Sequence, residues 1–317
     1  MYMLKNKLIN LKPALIITYS RPENCSKLLD ALFKQGCKRV YIAIDYGATE
    51  EILRCQSAFQ YLESKYARMF EKFEVWQRTE NLGVAASVIT ALDWFFKYEE
   101  SGLILEDDLF ISEELLKFIS SGLDSLELEE KVFSISGSNF FPHLSNENFL
   151  SSYFIGWGWG TWRKRWERAR VSYSKEIVRP SFSLNEYINF WNIGAYRCQI
   201  GTVDTWDLEL TKFIRENELV NVISSCNLVS NFGFDEYSSH TRLKKFPMAI
   251  PINNEALDLE NFKALQINYK FDSLLENKVF EIKFRHKFLP IKYFGLYFLN
   301  KSKCTPLLET LKRVVLP

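Results

Sequence analysis

Glu106, Asp107 and Asp108 follow directly on the apolar run Gly102-Leu103-Ile104-Leu105 and lead into an amphipathic segment. Buried strands seldom end in three acids, and at the carboxyl edge of a parallel sheet such acids stand where open α/β folds bind ligands. Two or three carboxylates there suit a hard divalent cation, Mg2+ or Mn2+, that carries phosphate oxygens. A solvated strand-to-helix loop, its acids favoured by the positive end of the next helix, is the plain alternative. Softer metals would want more histidine and cysteine than this pattern offers: there are three histidines, His143, His240 and His286, and six scattered cysteines without a CxxC pair.

Aromatic residues point to a second chemistry. Six of the eight tryptophans, Trp157, Trp159, Trp162, Trp166, Trp191 and Trp206, fall within one fifty-residue window. Aromatic faces bury the C–H surface of a sugar and leave its hydroxyls to polar groups. Trp162 and Trp166, four apart at an expected helix start, read as core residues. Trp157 and Trp159 lie among Gly156, Gly158 and Gly160. Glycine allows close backbone approach and unusual dihedrals, so this loop is expected to touch substrate.

These groups need a scaffold that gathers them. Ala14–Thr18 reads as a buried strand, and Pro22 then opens a helix carrying Cys25, Leu28, Leu29, Leu32 and Phe33, closed by Gly36. The same alternation continues with a strand at Val40–Ile44, a helix from about Glu50 to Met69, and a strand at Phe73–Gln77. It runs on through a helix after Asn81-Leu82-Gly83, a strand at Gly102–Leu105, a helix at Glu113–Leu126 and a strand at Val132–Ser136. Repeated βαβ units of this length imply a largely parallel sheet with ligands at the strand carboxyl ends. Tyr19-Ser20-Arg21, Asp45, the run Arg78 to Asn81, and the acid triplet would then share one edge. Any one of them could simply begin a loop; together they fit a crevice for a nucleoside diphosphate.

Composition narrows the class. The chain has 317 residues and a formal charge of +1, so no global field draws it to nucleic acid, and none is expected as a partner. Scattered cysteines read as small apolar residues of a reducing compartment. Met1 to Lys12 lacks an uninterrupted apolar region, and no stretch reaches the roughly 18 apolar residues of a spanning helix, so a cytoplasmic enzyme is expected. Lys278 to Pro317 differs, with nine Lys/Arg against Glu281 and Glu309 and seven interleaved Phe and Tyr. Peripheral association with the anionic inner face of a membrane and a basic helical subdomain packed on the acidic remainder are equally good readings of that tail.

The succession Thr18-Tyr19-Ser20-Arg21-Pro22, Asp45, Asn81-Leu82-Gly83 and Glu106-Asp107-Asp108 resembles GT-A glycosyltransferases, whose DXD-type motif binds the metal of a nucleotide sugar. Gly156-Trp157-Gly158-Trp159-Gly160-Thr161-Trp162, Trp206-Asp207, the run Asn227 to Phe234, and Ser239-His240-Thr241 extend the likeness. Over Ala14 to Thr241 the chain is similar to bacterial members distantly akin to N-acetylglucosaminyltransferase I. The resemblance implies a Rossmann-like GT-A domain over 1–245, followed by a basic, aromatic appendage over 246–317. It implies transfer from a nucleoside-diphosphate sugar, UDP favoured, to a hydroxyl of a saccharide or lipid-linked acceptor, with inversion. It places Asp108 on the metal, Asp107 near the ribose or a water held beyond the metal's own ligands, and His240 at a C-terminal metal position. Arg242 and Lys244 are close enough in sequence to neutralise diphosphate. Asp207 becomes the base for the acceptor hydroxyl, with Asp204 and Glu209 as competitors. A sugar-nucleotide pyrophosphorylase fits less well, because Thr18 to Pro22 lacks the glycines of its usual loop. A non-catalytic nucleotide-sugar-binding module is the third reading.

Overall fold

The computed structural model describes residues 10–47, 50–173, 183, 185–232, 250–253 and 261–283. Strands β1 (Ala14–Thr18), β2 (Arg39–Ile44), β3 (Lys72–Gln77) and β4 (Ser101–Glu106) alternate with helices α1 (Pro22–Lys34), α2 (Glu50–Tyr66) and α3 (Gly83–Tyr98). Then follow β5 (Leu109–Ile111), α4 (Leu115–Ser125), β6 (Val132–Ser136), β7 (Phe149–Ser151), β8 (Trp159–Trp162), α5 (Arg163–Arg170), α6 (Glu186–Gln199) and α7 (Asp207–Glu216). The remaining elements are β9 (Val220–Ile223), β10 (Val229–Asn231) and α8 (Tyr269–Leu274).

Eight strands form one sheet in the order β3-β2-β1-β4-β8-β6-β9-β7, while β5 and β10 pair as a separate two-stranded ribbon. The pairs β3-β2, β2-β1, β1-β4 and β6-β9 are parallel. Only β8 and β7 run against the rest. The architecture is the Rossmann-like α/β arrangement expected of the GT-A class.

Side chains alternate across each strand and so sort the helices into two layers. Ala14, Ile16, Val40, Ile42, Leu103 and Leu105 face α1, α2 and α4. Leu15, Ile17, Tyr41, Ala43 and Ile104 face α3, α5 and α7. Burying each of these larger aliphatic side chains contributes roughly 1.5–3 kcal/mol. A third cluster, built on Phe149, Tyr153, Ile155, Trp191 and Ile223, is completed by Phe271 and Leu275, both fully buried. Asp272 accepts hydrogen bonds from Ser151 Oγ at 2.6 Å and Ser152 N at 3.1 Å, and Asn227 Nδ2 donates to the Ile250 carbonyl at 3.0 Å. Residues 250–253 and 261–283 thus contact the elements that precede residue 245. Most of the basic tail lies outside the described residues. Among the described residues no helix is long and apolar enough to cross a membrane.

The tryptophan-glycine run is the clearest departure from expectation. Part of it is β8, inserted antiparallel between β4 and β6, with Gly160 opposite both Leu103 and Ile135. A Cβ on Gly160 would stand 2.5 Å from Ile119 Cγ2 and 3.0 Å from the Gly102 carbonyl, so this glycine answers to packing under α4. Trp159 is wholly buried, stacked 5.7 Å from Trp206 and edge-on to Phe154. Its ring is core and offers no face to a ligand. Trp162 and Trp166 are buried, as their spacing suggests.

Candidate active site

Register fixes the crevice. Thr18 lies beside Ile44, Ile44 beside Gln77, and Ile17 beside Glu106, so the four parallel strands end at one level. Backbone bonds carry the alignment one residue further: Asp45 N donates to the Thr18 carbonyl, Arg78 N to that of Ile44, and Asp107 N to that of Ile17.

The acid triplet divides into three environments. Asp107 is buried, and protein groups surround its carboxylate: Thr18 Oγ1 at 2.7 Å and Tyr19 N at 3.1 Å on Oδ2, with Arg21 Nη1 at 3.1 Å on Oδ1. It ties the loop between β1 and α1 to the end of β4. Arg21 takes part in the same anchor. Asp108 differs. Its Oδ1 is buried without a hydrogen-bond partner, the Asn231 side chain bonds its carboxylate, and its carbonyl accepts from Phe232 N at 3.0 Å. Burial and the Asp107 charge push its carboxyl up to about 6, against the opposing pull of Arg21 and Asn231. Glu106 is raised well above the usual carboxylate range by burial first, then by Asp108, Asp107 and Asp207. The charges of Asp108, Asp107 and Asp207 thus all act on Glu106, while Arg21, paired with Asp107, acts in the opposite direction on Asp108.

Asp207 opens α7, and Thr205 Oγ1 donates to its carboxylate. The residue is exposed, yet the protein crowded around it pushes its carboxyl upward, with Thr205 and the first backbone N–H groups of α7 opposing. Solvent contact screens part of that rise. Its competitors are placed otherwise. Asp204 accepts from Val84 N at 2.8 Å and Ala85 N at 2.9 Å, one on each oxygen. Glu209 is buried on α7 beside Tyr173 and Cys198, its carboxyl raised by burial to about 7. Asp207 is the one of the three acids both open to solvent and electrostatically linked to Glu106.

On the other flank, Asp45 is buried, and its Oδ1 accepts from Tyr46 N and Leu82 N at 3.0 and 3.2 Å. Asn81 donates to the Tyr46 carbonyl and accepts from Gly83 N, so Asp45 and Asn81 shape the turn between β3 and α3. Arg78 is also buried: it bonds Ser87 Oγ, the Ser87 carbonyl and Thr90 Oγ1 at 2.7–2.8 Å and lies over Trp76. These bonds fasten the end of β3 to α3. Tyr19, directly after β1, is exposed. Trp157 is half-buried, its ring 5.1 Å from Phe140. Gly158 has φ of +59°, and a Cβ there would meet Val229 at 2.5 Å, so it serves a close turn against β10. His240, Arg242 and Lys244 lie outside the described residues.

A divalent metal fits the residues that are present. Among the described residues no three His, Cys, Asp or Glu side chains form a group able to hold an ion unaided. One carboxylate oxygen without a partner, in a surplus of negative charge, suits an ion that brings diphosphate oxygens and waters as its other ligands.

No protein-family model matches the chain. No curated protein matches it. Several solved structures are similar to it. A mannosyltransferase, PcManGT from Pyrobaculum calidifontis in complex with GDP-Man and Mn2+, is 16% identical over 50% of this chain and 46% of that one, with a TM-score of 0.37. An apo UDP-glucose pyrophosphorylase is 9% identical over 68% and 90%, with a TM-score of 0.35. A mannose-1-phosphate geranyltransferase from Thermus thermophilus is 10% identical over 67% and 74%, with a TM-score of 0.30. The chain spans less than half the length of the mannosyltransferase. Likenesses this loose carry neither activity nor substrate.

Residues given no individual role from the sequence also shape the site. Asn231 holds Asp108 from β10, and Glu106 links the triplet to Asp207. Phe110 and Phe232, partly exposed and edge-to-face at 4.4 Å, flank Asp108 on the ribbon, with Lys27 Nζ 5.4 Å from the Phe110 ring.

Glu209 yields a pH prediction. Its carboxyl releases a proton near the usual 4.5 in the unfolded chain and near 7 in the native state. Between those values the native state binds more protons, so this residue's contribution to stability falls as pH rises through the window and levels off above it. Relative to Glu209→Gln, wild type should lose roughly 1–3 kcal/mol between about pH 4.5 and 7.5. Urea unfolding of both proteins across that range checks it; parallel curves would show that Glu209 does not titrate in this way.

Proposed function

We propose that the protein is a metal-dependent glycosyltransferase that moves a sugar from a nucleoside-diphosphate sugar, UDP favoured, to a hydroxyl of a saccharide or lipid-linked acceptor, with inversion. The observation that carries this reading is the carboxyl end of β4. There Asp108 has an unpartnered oxygen, the exposed Asp207 acts electrostatically on the neighbouring Glu106, and Asp45 and Asn81 shape the β3–α3 turn at the same sheet edge. Asp108 would hold Mn2+ or Mg2+, with His240 as a further ligand, and the bound ion would offset the charge that develops on the departing diphosphate. Asp107 keeps the β1–α1 loop in place beneath the donor. Asp207 takes the proton of the acceptor hydroxyl as it attacks the anomeric carbon, and its upward-shifted carboxyl makes it a better proton acceptor. A place at the inner face of the membrane, through the basic tail, would suit a lipid-linked acceptor.

The test is a panel of UDP-, GDP- and dTDP-sugars incubated with purified protein and manganese, read as released nucleoside diphosphate. Manganese-dependent release from at least one donor is expected. Formation of nucleoside triphosphate and sugar phosphate from pyrophosphate would indicate a pyrophosphorylase instead, and binding without turnover a non-catalytic module.

A further inference from the structure

Helix α3 begins without a cap of its own. Its N-cap residue is Leu82, whose side chain cannot accept a hydrogen bond, so the first N–H groups of the helix need an acceptor from elsewhere. Asp204 supplies it from about 120 residues away, taking Val84 N and Ala85 N on its two oxygens at 2.8 and 2.9 Å. These are the two N–H groups that a serine or aspartate cap would normally serve, and a carboxylate gains further from the positive end of the helix. Gly83 is fitted to the contact: its φ is +75°, and a Cβ there would fall 2.6 Å from Asp204 Oδ2.

Both sides of this clamp lead to the site. On one side, Gly83 N bonds Asn81, Asn81 bonds the Tyr46 carbonyl, and Leu82 N bonds Asp45, so the clamped end of α3 is continuous with the donor-side turn. On the other side, Asp207 follows Asp204 after only Thr205 and Trp206. Trp206 is buried with its carbonyl held by Tyr173 Oη at 2.7 Å, and Thr205 bonds Asp207 directly. Little slack remains between the cap and the proposed base.

We propose that Asp204 is a positioning residue that couples the donor-side turn to the placement of Asp207, so that filling the donor site sets the base. This rests on the donor and base assignments made above. Hydrogen–deuterium exchange on peptides covering 80–87 and 203–210, with and without UDP and manganese, tests it without requiring turnover. In wild type the nucleotide should slow exchange in both peptides. In Asp204→Ala it should slow the first and no longer the second, and Asp204→Asn, which keeps one acceptor oxygen, should fall between. In kinetics, Asp204→Ala should lower kcat about tenfold with little change in donor KM, and should cost nothing further in an Asp207→Asn background. Protection of 203–210 by nucleotide that survives in Asp204→Ala would overturn the coupling, as would rate losses that multiply in the double variant. Absence of protection at 80–87 in wild type would instead overturn the donor assignment, and the coupling with it.

Discussion

Asp108→Ala should abolish manganese-dependent donor binding and cut turnover by at least about 100-fold while the protein stays folded. The size follows from losing a direct metal ligand, since even residues that only support such ligands cost roughly 10–100-fold. The fold should survive because one carboxylate oxygen has no protein partner and the other loses only the bond from the Asn231 side chain, while removing a crowded carboxylate relieves Glu106 of a like charge. Asp107→Ala should behave oppositely. It strands Thr18 Oγ1, Tyr19 N and Arg21, which costs roughly 1–3 kcal/mol of stability, with a milder effect on metal dependence. Calorimetric titration of UDP with and without manganese, beside thermal unfolding of both variants, separates the two. Unchanged manganese dependence in Asp108→Ala would remove the metal assignment.

Asp207→Asn should lower transfer by at least about 10²-fold and leave donor affinity unchanged, because a base acts on the acceptor proton and adds little to diphosphate binding. The amide can still accept from Thr205 Oγ1, so the helix start should be preserved. Steady-state kcat together with donor Kd measures the split. If Glu209→Gln is the dead variant and Asp207→Asn remains active, the base lies further along α7.

The first half of the fold was legible because its strands are buried on both faces. Leu15, Ile16 and Ile17, or Leu103, Ile104 and Leu105, form apolar runs that only a covered parallel sheet explains. Their ends then placed Asp45 and Asp108 on one edge. The ribbon was not legible: β5 and β10 have three residues each, too few for a periodic signal, and their pairing joins segments about 120 residues apart. Gly156 to Trp162 is ambiguous in sequence for a different reason. Glycine serves ligand approach and tight packing equally well, and only the positions of Ile119 and Gly102 show which applies at Gly160. Arg78 is ambiguous in the same manner, since the hydroxyls it bonds come from Ser87 and Thr90 on the following helix. Asp204 read as a rival base because nothing local distinguishes a carboxylate that takes protons from one that caps a distant helix.

The most direct measurement is an anomalous difference map from a crystal of the protein soaked with manganese and UDP. A single strong peak at bonding distance from the Asp108 carboxylate, bridged to the diphosphate with the nucleoside running toward Asp45 and Asn81, is the expected result. Manganese bound elsewhere, or nucleotide bound away from the carboxyl end of β4, would contradict the assignment.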